Sequence, residues 1–458
     1  MNSQTFAGLM CVALSSGVHC APPVTAMPAC VPAGVPVMHS GRIANSERWA
    51  GGIHVVTSSL SLADNTVLTV SACSEVRLAP DASIEVTGAA SALVTEGTAE
   101  RPVVFSRNAS ASAWGRVLVR ATGSVRLRHT VLEGGGGTSP FARGDFHGAT
   151  IAAQGDPEAL PAMVTVNQVA VRGSTGLGIA MIASRFAAES SDLTISASGW
   201  HPVYLGADTA TELPTGSYAG NAQDEFLLQN SNVASYSNDR PIKRDATLRN
   251  RGLPYLVGVA DSGGSLIRVG DGRDTGPASS VLEIEAGVTL RFSPSAGNSG
   301  VLVQGRLVAG AWVAQGALRA VGTASSPVTF TSAAATPAAG DWMGLFFKSA
   351  LHPQTTLDQV VIAFAGGPSQ TRGVCSSTPG DNLSADSAVI ITLEPGHIPD
   401  RAFVTHTTLR DSANGGIYRG WYDAMVDFTA TNTFERIAGC RQSNVARASG
   451  GCTMGTCM

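Results

Sequence analysis

The chain has 458 residues and a formal net charge of −4, with 14% charged and 6% aromatic residues and 52 glycines. This composition is typical of stacked strands joined by tight turns and excludes a mainly helical protein. All but two of the 30 basic residues are arginines, and they are scattered, so no basic stripe is available to follow a phosphate backbone. The sequence therefore argues against nucleic-acid binding.

The first 21 residues have features of a secretory leader. An apolar run from Phe6 to Leu14 precedes small residues and is too short to span a bilayer, although the usual positively charged start is missing. Cys20 is a candidate for lipid attachment, but His19 stands where bacterial lipobox sequences have a small residue. We expect an extracytoplasmic protein, secreted or on a bacterial surface, without a transmembrane span. Residues 22–48 are proline-rich and predict a linker or an N-terminal cap.

The cysteines outside the leader are even in number, and none has the Cys-x-x-Cys spacing of a metal site. Behind an export-like leader they favour disulfides over buried free thiols. The candidates are Cys30, Cys73, Cys375, Cys440, Cys452 and Cys457. We expect Cys30 to pair with Cys73, because both precede the main repeat, and the other four to hold the C-terminal end together in a pairing that the sequence leaves open.

One long pattern occurs twice in the chain. Leu68, Val70, Val76, Leu78 and Pro80 recur 214 positions later as Leu282, Ile284, Leu290, Phe292 and Pro294. In the same order, but with accumulating gaps, Gly97 matches Gly322 and Trp114 matches Trp342. Copies of this length must contain smaller units that pack on one another. We expect a first half at residues 49–212, a joint or long loop at 213–250, a second half at 251–440 and a cysteine-containing tail or cap at 441–458.

Within each copy, short alternating segments such as Val76-Arg77-Leu78 are separated by turn residues, as expected for strands that bury one set of side chains. An antiparallel sandwich and a solenoid both produce this spacing, so periodicity alone leaves the two open.

Four successive segments of the second copy carry a family resemblance: residues 288–292 (VTLRF), 316–323 (GALRAVGT), 327–332 (PVTFTS) and 340–345 (GDWMGL). They resemble the bacterial right-handed parallel β-helix repeat proteins, and the likeness covers about residues 49 to 440. It implies an all-β right-handed parallel β-helix, a solenoid of two homologous halves with coils of roughly 22 residues. Glycines such as Gly97 and Gly322 are expected at corners with positive φ. The family is functionally diverse and includes pectin-degrading enzymes and surface proteins of no known activity.

Polysaccharide-cleaving members of this family use carboxylates, arginines or calcium, and their residue patterns are missing. No Asp-Asp pair occurs, and Asp271-Gly272-Arg273-Asp274 lacks the spaced oxygen ligands of a calcium loop, so we predict no metal and no cofactor. The best remaining cluster for a sugar-binding groove is Asp411, Asn414, Arg419, Trp421, Tyr422 and Asp423. The alternative is that Asp411 and Asn414 make turn hydrogen bonds, Arg419 pairs with a carboxylate and Trp421 covers the end of the core.

A second group comprises Trp200, His201 and Tyr204. The sequence around His201 offers no acid or serine partner, and such a histidine is more often packed than catalytic.

Three functions stay open from sequence. The first is a non-catalytic cell-envelope or secreted protein that presents an extended surface for adhesion, matrix or carbohydrate binding. The second is a polysaccharide lyase or glycoside hydrolase with a non-standard site, and the third is a structural stalk or spacer. The expected partner is a polysaccharide or another envelope component.

Overall fold

A computed structural model describes residues 30–108, 112–120, 122–137, 147–229, 241–242, 244–258, 266–270, 272, 279–294, 299–369 and 385–445. The predicted leader at 1–21, Cys20, Cys375, Cys452, Cys457, most of the tail at 441–458, and Asp271, Arg273 and Asp274 lie outside these ranges, as does part of the joint at 213–250.

The first part of the described chain contains eighteen strands and one 3-10 helix at Ala207–Glu212. The strands are β1 (Val37–Ile43), β2 (Glu47–Trp49), β3 (Gly52–Leu62), β4 (Val67–Ser71), β5 (Ser74–Leu78), β6 (Ile84–Val86), β7 (Ala92–Glu96), β8 (Val103–Arg107), β9 (Val117–Arg120), β10 (Ser124–Glu133), β11 (Ile151–Gln154), β12 (Ala162–Arg172), β13 (Ile179–Ile182), β14 (Arg185–Phe186), β15 (Ser191–Ser196), β16 (Val203–Gly206), β17 (Gly216–Ser217) and β18 (Phe226–Gln229).

The second part of the described chain contains eighteen more strands. They are β19 (Ala246–Leu248), β20 (Tyr255–Val257), β21 (Leu266–Val269), β22 (Ser280–Ile284), β23 (Thr289–Phe292), β24 (Gly300–Gln304), β25 (Arg306–Val308), β26 (Ala311–Val313), β27 (Gly316–Val321), β28 (Val328–Ser332), β29 (Gly344–Ser349), β30 (Thr356–Asp358), β31 (Val360–Ala363), β32 (Ser387–Leu393), β33 (Val404–Thr405), β34 (Thr408–Ser412), β35 (Gly415–Gly420) and β36 (Thr433–Ile437).

These strands form a parallel β-helix, which confirms the predicted all-β fold class. One ladder, called the main ladder, joins fourteen strands in parallel: β1, β3, β6, β9, β11, β13, β16, β18, β20, β23, β28, β31, β34 and β36. Thirteen steps of about 4.8 Å give the ladder a length of about 60 Å. The number of residues in a coil varies: one coil leads from Gly41 to its partner Leu60, and a much longer one leads from Ile362 to its partner Leu409. Most coils are longer than the expected length of roughly 22 residues.

Two further ladders flank the main ladder at each level, and they change along the rod. In the first part they are ladder A (β2, β4, β7, β10, β12, β14) and ladder B (β1, β3, β5, β8, β10, β12, β15, β17). In the second part they are ladder C (β19, β22, β27, β30, β33) and ladder D (β21, β24, β29, β32, β35). The main ladder runs through the change without interruption, by the pairings β16–β18 and β18–β20.

This change alters how the two sequence copies stack. The sequence match relates β5 to β23, but β5 lies in ladder B and β23 lies in the main ladder. Ladder B ends at Gly216–Ser217, and ladder D begins at Leu266–Val269. The corresponding strands β5 and β23 therefore occupy different faces of the rod, although their inward residues Val76 and Leu290 are both buried.

Matched residues of the two copies make matched contacts. The buried Trp114 donates its indole N–H to the carbonyl of Glu133 at 2.8 Å, and Trp342 donates to the carbonyl of Ala363 at 2.9 Å. Both acceptors lie in the next coil, directly after Leu132 and Ile362, which also correspond in the two copies, 230 positions apart. These contacts support a duplication, and the exact division into halves stays a prediction.

The prediction that Gly97 and Gly322 adopt positive φ is wrong. Neither glycine is in the left-handed region. A Cβ on Gly97 would overlap the carbonyl oxygen of His129, and a Cβ on Gly322 would overlap that of Gln359. The left-handed residues are instead His129 (φ 42°) and Gln359 (φ 55°). The glycines allow one coil to approach the bend of the next.

The interior is filled by rows of apolar side chains from the ladders. The alternation in β5 illustrates this, since Ser74, Val76 and Leu78 are buried while Glu75 and Arg77 are partly exposed. Burying such rows is the dominant stabilising contribution in a fold of this kind. Among the residues described, no helix has the length and apolar character needed to cross a bilayer.

Candidate functional site

Two residues of the predicted C-terminal cluster, Arg419 and Trp421, are buried at the end of the core, each 1% exposed. The Arg419 guanidinium donates to the carbonyl oxygens of Ser443 (2.7 Å) and Val426 (2.6 Å), and burial lowers its pKa. Trp421 Nε1 donates to the carbonyl oxygen of Ala424 at 2.8 Å. Both side chains close the C-terminal end of the rod, and neither presents a face to a sugar.

Asp411 and Asn414 are held by other parts of the fold. The Asp411 carboxylate accepts hydrogen bonds from Arg436 (Nη2, 2.9 Å) and Arg410 (Nη1, 3.0 Å). The bond to Arg436 is the main reason that the pKa of Asp411 is below its usual value. Asn414 Nδ2 donates to the carbonyl oxygen of Gly366 at 2.8 Å. Asp411 is therefore a stable carboxylate and a poor proton donor.

Tyr422 and Asp423 lie on a solvent-exposed turn, and Asn414 is the third exposed member of the predicted cluster. Tyr422 is 44% exposed, and Asp423 lies beside it in a left-handed turn with φ 65°. The structure thus distributes the six residues over three environments: the core end, the ion-paired edge of β34 and an exposed turn. Because Arg419 and Trp421 are buried, these two side chains cannot line an open groove with the other four.

The second predicted group contains a half-buried aromatic ring on the outside of the rod. The Trp200 ring centroid lies 5.1 Å from that of His147 in an edge-to-face arrangement (69°), and 4.9 Å from that of His201. Trp200 lies at the corner before β16, and its backbone is held from both sides: its N–H donates to Gly176 O (3.0 Å), and its carbonyl accepts from Gln223 N (3.3 Å). Trp200 is therefore fixed in position while part of its ring is open to solvent.

Glycine makes the contact between Trp200 and His147 feasible. The two residues belong to coils that are two steps apart, and Gly176 lies in the coil between them. A Cβ on Gly176 would overlap the carbonyl oxygen of His147. Because this intermediate coil has no side chain at the corner, the two rings meet across it. His147 is exposed. The sequence interpretation missed His147, and the glycines at 176 and 178 were the signal that could have indicated a close approach.

His201 is fully buried beneath this pair of rings. Its Nδ1 lies 3.2 Å from the carbonyl oxygen of Glu225, so Nδ1 carries the proton and Nε2 does not. Nε2 has no hydrogen-bond partner among the described residues. Burial lowers the pKa of His201 to about 4, so the ring is neutral at neutral pH. A packed histidine, not a general base, is the interpretation that these contacts support.

Tyr204 belongs to an apolar row on the outer side of the main ladder. The row is buried and consists of Leu118, Ala152, Ala180, Tyr204, Leu227 and Leu256 in register on successive strands. Trp200 packs against the cluster that these side chains form. In the next strand the row continues as Arg291, which forms an ion pair with Glu225. The row thus anchors Trp200 and is not itself an open surface.

An aromatic cluster that the sequence did not predict closes the N-terminal end of the core. Trp49 stacks on His39 (ring centroids 3.9 Å apart) and on His54 (4.9 Å apart), and the two imidazole rings are 5.2 Å from each other. His39 Nε2 lies 3.0 Å from His54 Nδ1, and His54 Nε2 lies 2.8 Å from the carbonyl oxygen of Ala50. Burial lowers the pKa of His39. We assign this cluster to the packing of the first coils.

Two of the predicted disulfide cysteines are joined in the described part of the chain. Cys30 and Cys73 form a disulfide with a Cα–Cα distance of 5.7 Å, which confirms the predicted pair, and Cys440 is also disulfide-bonded. Within the described ranges, no group of three or more histidine, cysteine, aspartate or glutamate residues is arranged to hold a metal ion.

No protein-family model, no curated protein and no solved structure matches the chain.

Proposed function

We propose that this protein is a non-catalytic, extracytoplasmic rod that binds carbohydrate on its outer surface, at the pair of rings formed by Trp200 and His147. The observation that carries the proposal is the half-buried Trp200 ring, which contacts His147 and is held by backbone hydrogen bonds to the coils on both sides. A rigid, partly exposed aromatic face can stack on a sugar ring without a large loss of conformational entropy.

Polar groups beside the rings suit the hydroxyls of a sugar. Gln223 lies in the coil that follows Trp200 and is exposed. Thr175, also exposed, lies beside Gly176 in the coil before Trp200; its hydroxyl donates to the carbonyl oxygen of Gly136, so it can only accept from a sugar. Regular spacing of successive coils would let a polysaccharide chain lie along the rod and contact more than one coil.

A polysaccharide lyase or hydrolase is the less supported alternative. The Asp411 carboxylate forms ion pairs with Arg410 and Arg436, and these lower its pKa and keep it ionised. A general acid requires the opposite change in pKa. A stalk or spacer would not need an aromatic ring that is fixed in position and partly exposed. The half-buried Trp200 therefore favours a binding function over a purely structural one.

The test is a glycan array probed with the folded protein, followed by titration of each ligand found. We expect Trp200→Ala to weaken binding at least tenfold, which corresponds to about 1.4 kcal/mol, and Trp200→Phe to retain much of the affinity. Tyr422→Ala is the matched control, because it removes an exposed aromatic ring from the other predicted cluster. Loss of binding in Tyr422→Ala but not in Trp200→Ala would move the site to the C-terminal cluster and refute the assignment to Trp200.

Catalysis is tested on the same ligands by following chain cleavage. Cleavage of a polyuronate or another acidic glycan that disappears in Asp411→Asn or Asp423→Asn would contradict a non-catalytic function.

A further inference from the structure

The two ends of the main ladder are strands with one open edge. β1 pairs with β3 and β36 pairs with β34, and neither end strand has a second partner among the described strands. β1 is exposed except at His39 and Ile43, and every residue of β36 is exposed or half-buried. An open strand edge of this kind is a template on which another strand can pair.

The open edge of β36 carries the backbone groups of Phe434. Thr433 N–H donates to Thr407 O in the preceding coil at 2.9 Å. Successive residues of a parallel strand bond to opposite sides, so the N–H and C=O of Phe434 point away from β34. Elsewhere in the main ladder an inward residue uses these groups to bond to the next coil, as Leu60 N–H does to Ser83 O at 2.8 Å. No described coil follows Phe434 in this ladder.

The open edge of β1 offers the matching groups. Ala63 N–H donates to Ile43 O at 3.0 Å, so the preceding residue, Arg42, directs its backbone N–H and C=O away from β3. All strands of the main ladder are parallel, so a second rod placed beyond the last coil would present its β1 to β36 in the same direction. The ladder would then continue from one copy into the next, with Phe434 opposite Gly41.

Continuing the register of the ladder places opposite charges side by side. One row of outward residues follows the main ladder from Arg42 in β1 to Glu435 in β36. In this register Arg42 of a second copy would lie beside Glu435. Arg42 is exposed and forms no ion pair with the described residues. Opposite charges on neighbouring strands stabilise their pairing.

The other charged groups at the C-terminal edge are paired with one another. Arg410 and Arg436 both form ion pairs with Asp411, at 3.0 Å and 2.5 Å. The Glu435 carboxylate is 45% exposed, and its one ion-pair contact within the described chain is a longer one, 3.7 Å to Arg436. Glu435 is therefore the carboxylate at this edge that can pair with a cation from outside.

Exposed apolar side chains are concentrated at the same two ends of the rod. Of the seven large apolar side chains that are exposed in the described residues, four lie at the N-terminal end, two lie at the C-terminal end and one, Leu307, lies elsewhere. The four are Val31, Val35, Val37 and Met38, and the two are Tyr422 and Met425. Apolar surface that gathers in this way marks a contact surface.

We propose that copies of this chain associate end to end, with β1 of one rod adding to β36 of the next and Arg42 pairing with Glu435. Each copy has one edge of each kind, so the contact is heterologous and repeats into a chain of rods. The flanking ladders differ at the two ends, which limits the contact to the main ladder and makes the association weak. The proposal is independent of carbohydrate binding at Trp200.

The experiment is sedimentation velocity of the full-length protein over a wide range of concentration, at low and at high salt. We expect the mean mass to rise with concentration beyond that of a dimer, and to rise less at high salt. Arg42→Glu and Glu435→Arg should each weaken association about fivefold, because each variant places like charges side by side. An equimolar mixture of the two variants should associate like the parent, because every contact between the two kinds of copy pairs glutamate with arginine. Such restoration also requires that both variants fold.

Arg126→Glu is the matched control, because Arg126 is exposed on β10, between the two ends, and the reversal changes the net charge by the same amount as Arg42→Glu. It should associate like the parent. A mean mass that stays at one copy at every concentration would overturn the proposal and would point to residues 1–29 or 446–458 as the cover of the open edges. Association that both reversals leave unchanged would also overturn it. So would a mixture that fails to regain the association of the parent, since residues 42 and 435 would then not meet.

Discussion

Replacing His201 with asparagine should make the rod more resistant to acid. His201 is fully buried and donates its Nδ1 proton to Glu225 O. Burial lowers its pKa from 6.5 to about 4. Above pH 6.5 the ring is neutral in the folded and unfolded states, so it adds no pH dependence. As the pH falls from 6.5 towards 4, the unfolded chain binds a proton that the folded chain does not, and stability decreases.

The size of this loss follows from the two pKa values. It amounts to roughly 1 kcal/mol near pH 5.5 and roughly 2 to 3 kcal/mol near pH 4.5. Asparagine can place an N–H where Nδ1 lies, so His201→Asn retains the donor to Glu225 and has no titrating group.

The assay is the urea midpoint of the parent and of His201→Asn, measured by tryptophan fluorescence between neutral pH and pH 4.5. Each midpoint multiplied by the m-value gives a free energy of unfolding. The difference between the two free energies should change by the amounts above as the pH falls. His397→Asn is the control, because His397 is only partly buried on the turn after β32. If the parent and His201→Asn lost stability equally over this range, the buried neutral state assigned to His201 would be refuted.

Three further predictions concern the ends and corners of the rod. Arg419→Ala should cost roughly 3 kcal/mol, because it leaves buried carbonyl groups without a donor, and hydrogen exchange should accelerate first in the C-terminal coils. Cys73→Ser should remove about 4 kcal/mol of loop-closure stabilisation, since the disulfide to Cys30 spans 43 positions, and limited proteolysis should then cleave the first coils. Gly322→Ala should lower the thermal midpoint much more than Gly310→Ala, because only the first introduces a backbone overlap.

The sequence by itself determined the fold class and the first disulfide. Alternating segments such as Val76-Arg77-Leu78 and the low content of charged residues reflect inward rows that any parallel solenoid must bury. The ordered recurrence of Trp114 and Trp342 identified residues that make equivalent contacts, because a large buried ring with one N–H donor tolerates few alternative environments.

Only the tertiary structure decided which candidate residues are accessible. The sequence left Arg419 and Trp421 open between a sugar-binding groove and a packing role. In the structure both close the end of the core, because a solenoid must cover its last coil and backbone carbonyl oxygens accept hydrogen bonds from their N–H groups. His147 and Trp200 are 53 positions apart and meet because coils stack at regular steps and Gly176 leaves the space between them empty. The change from ladder B to ladder D depends on strand register, which short alternating segments do not specify.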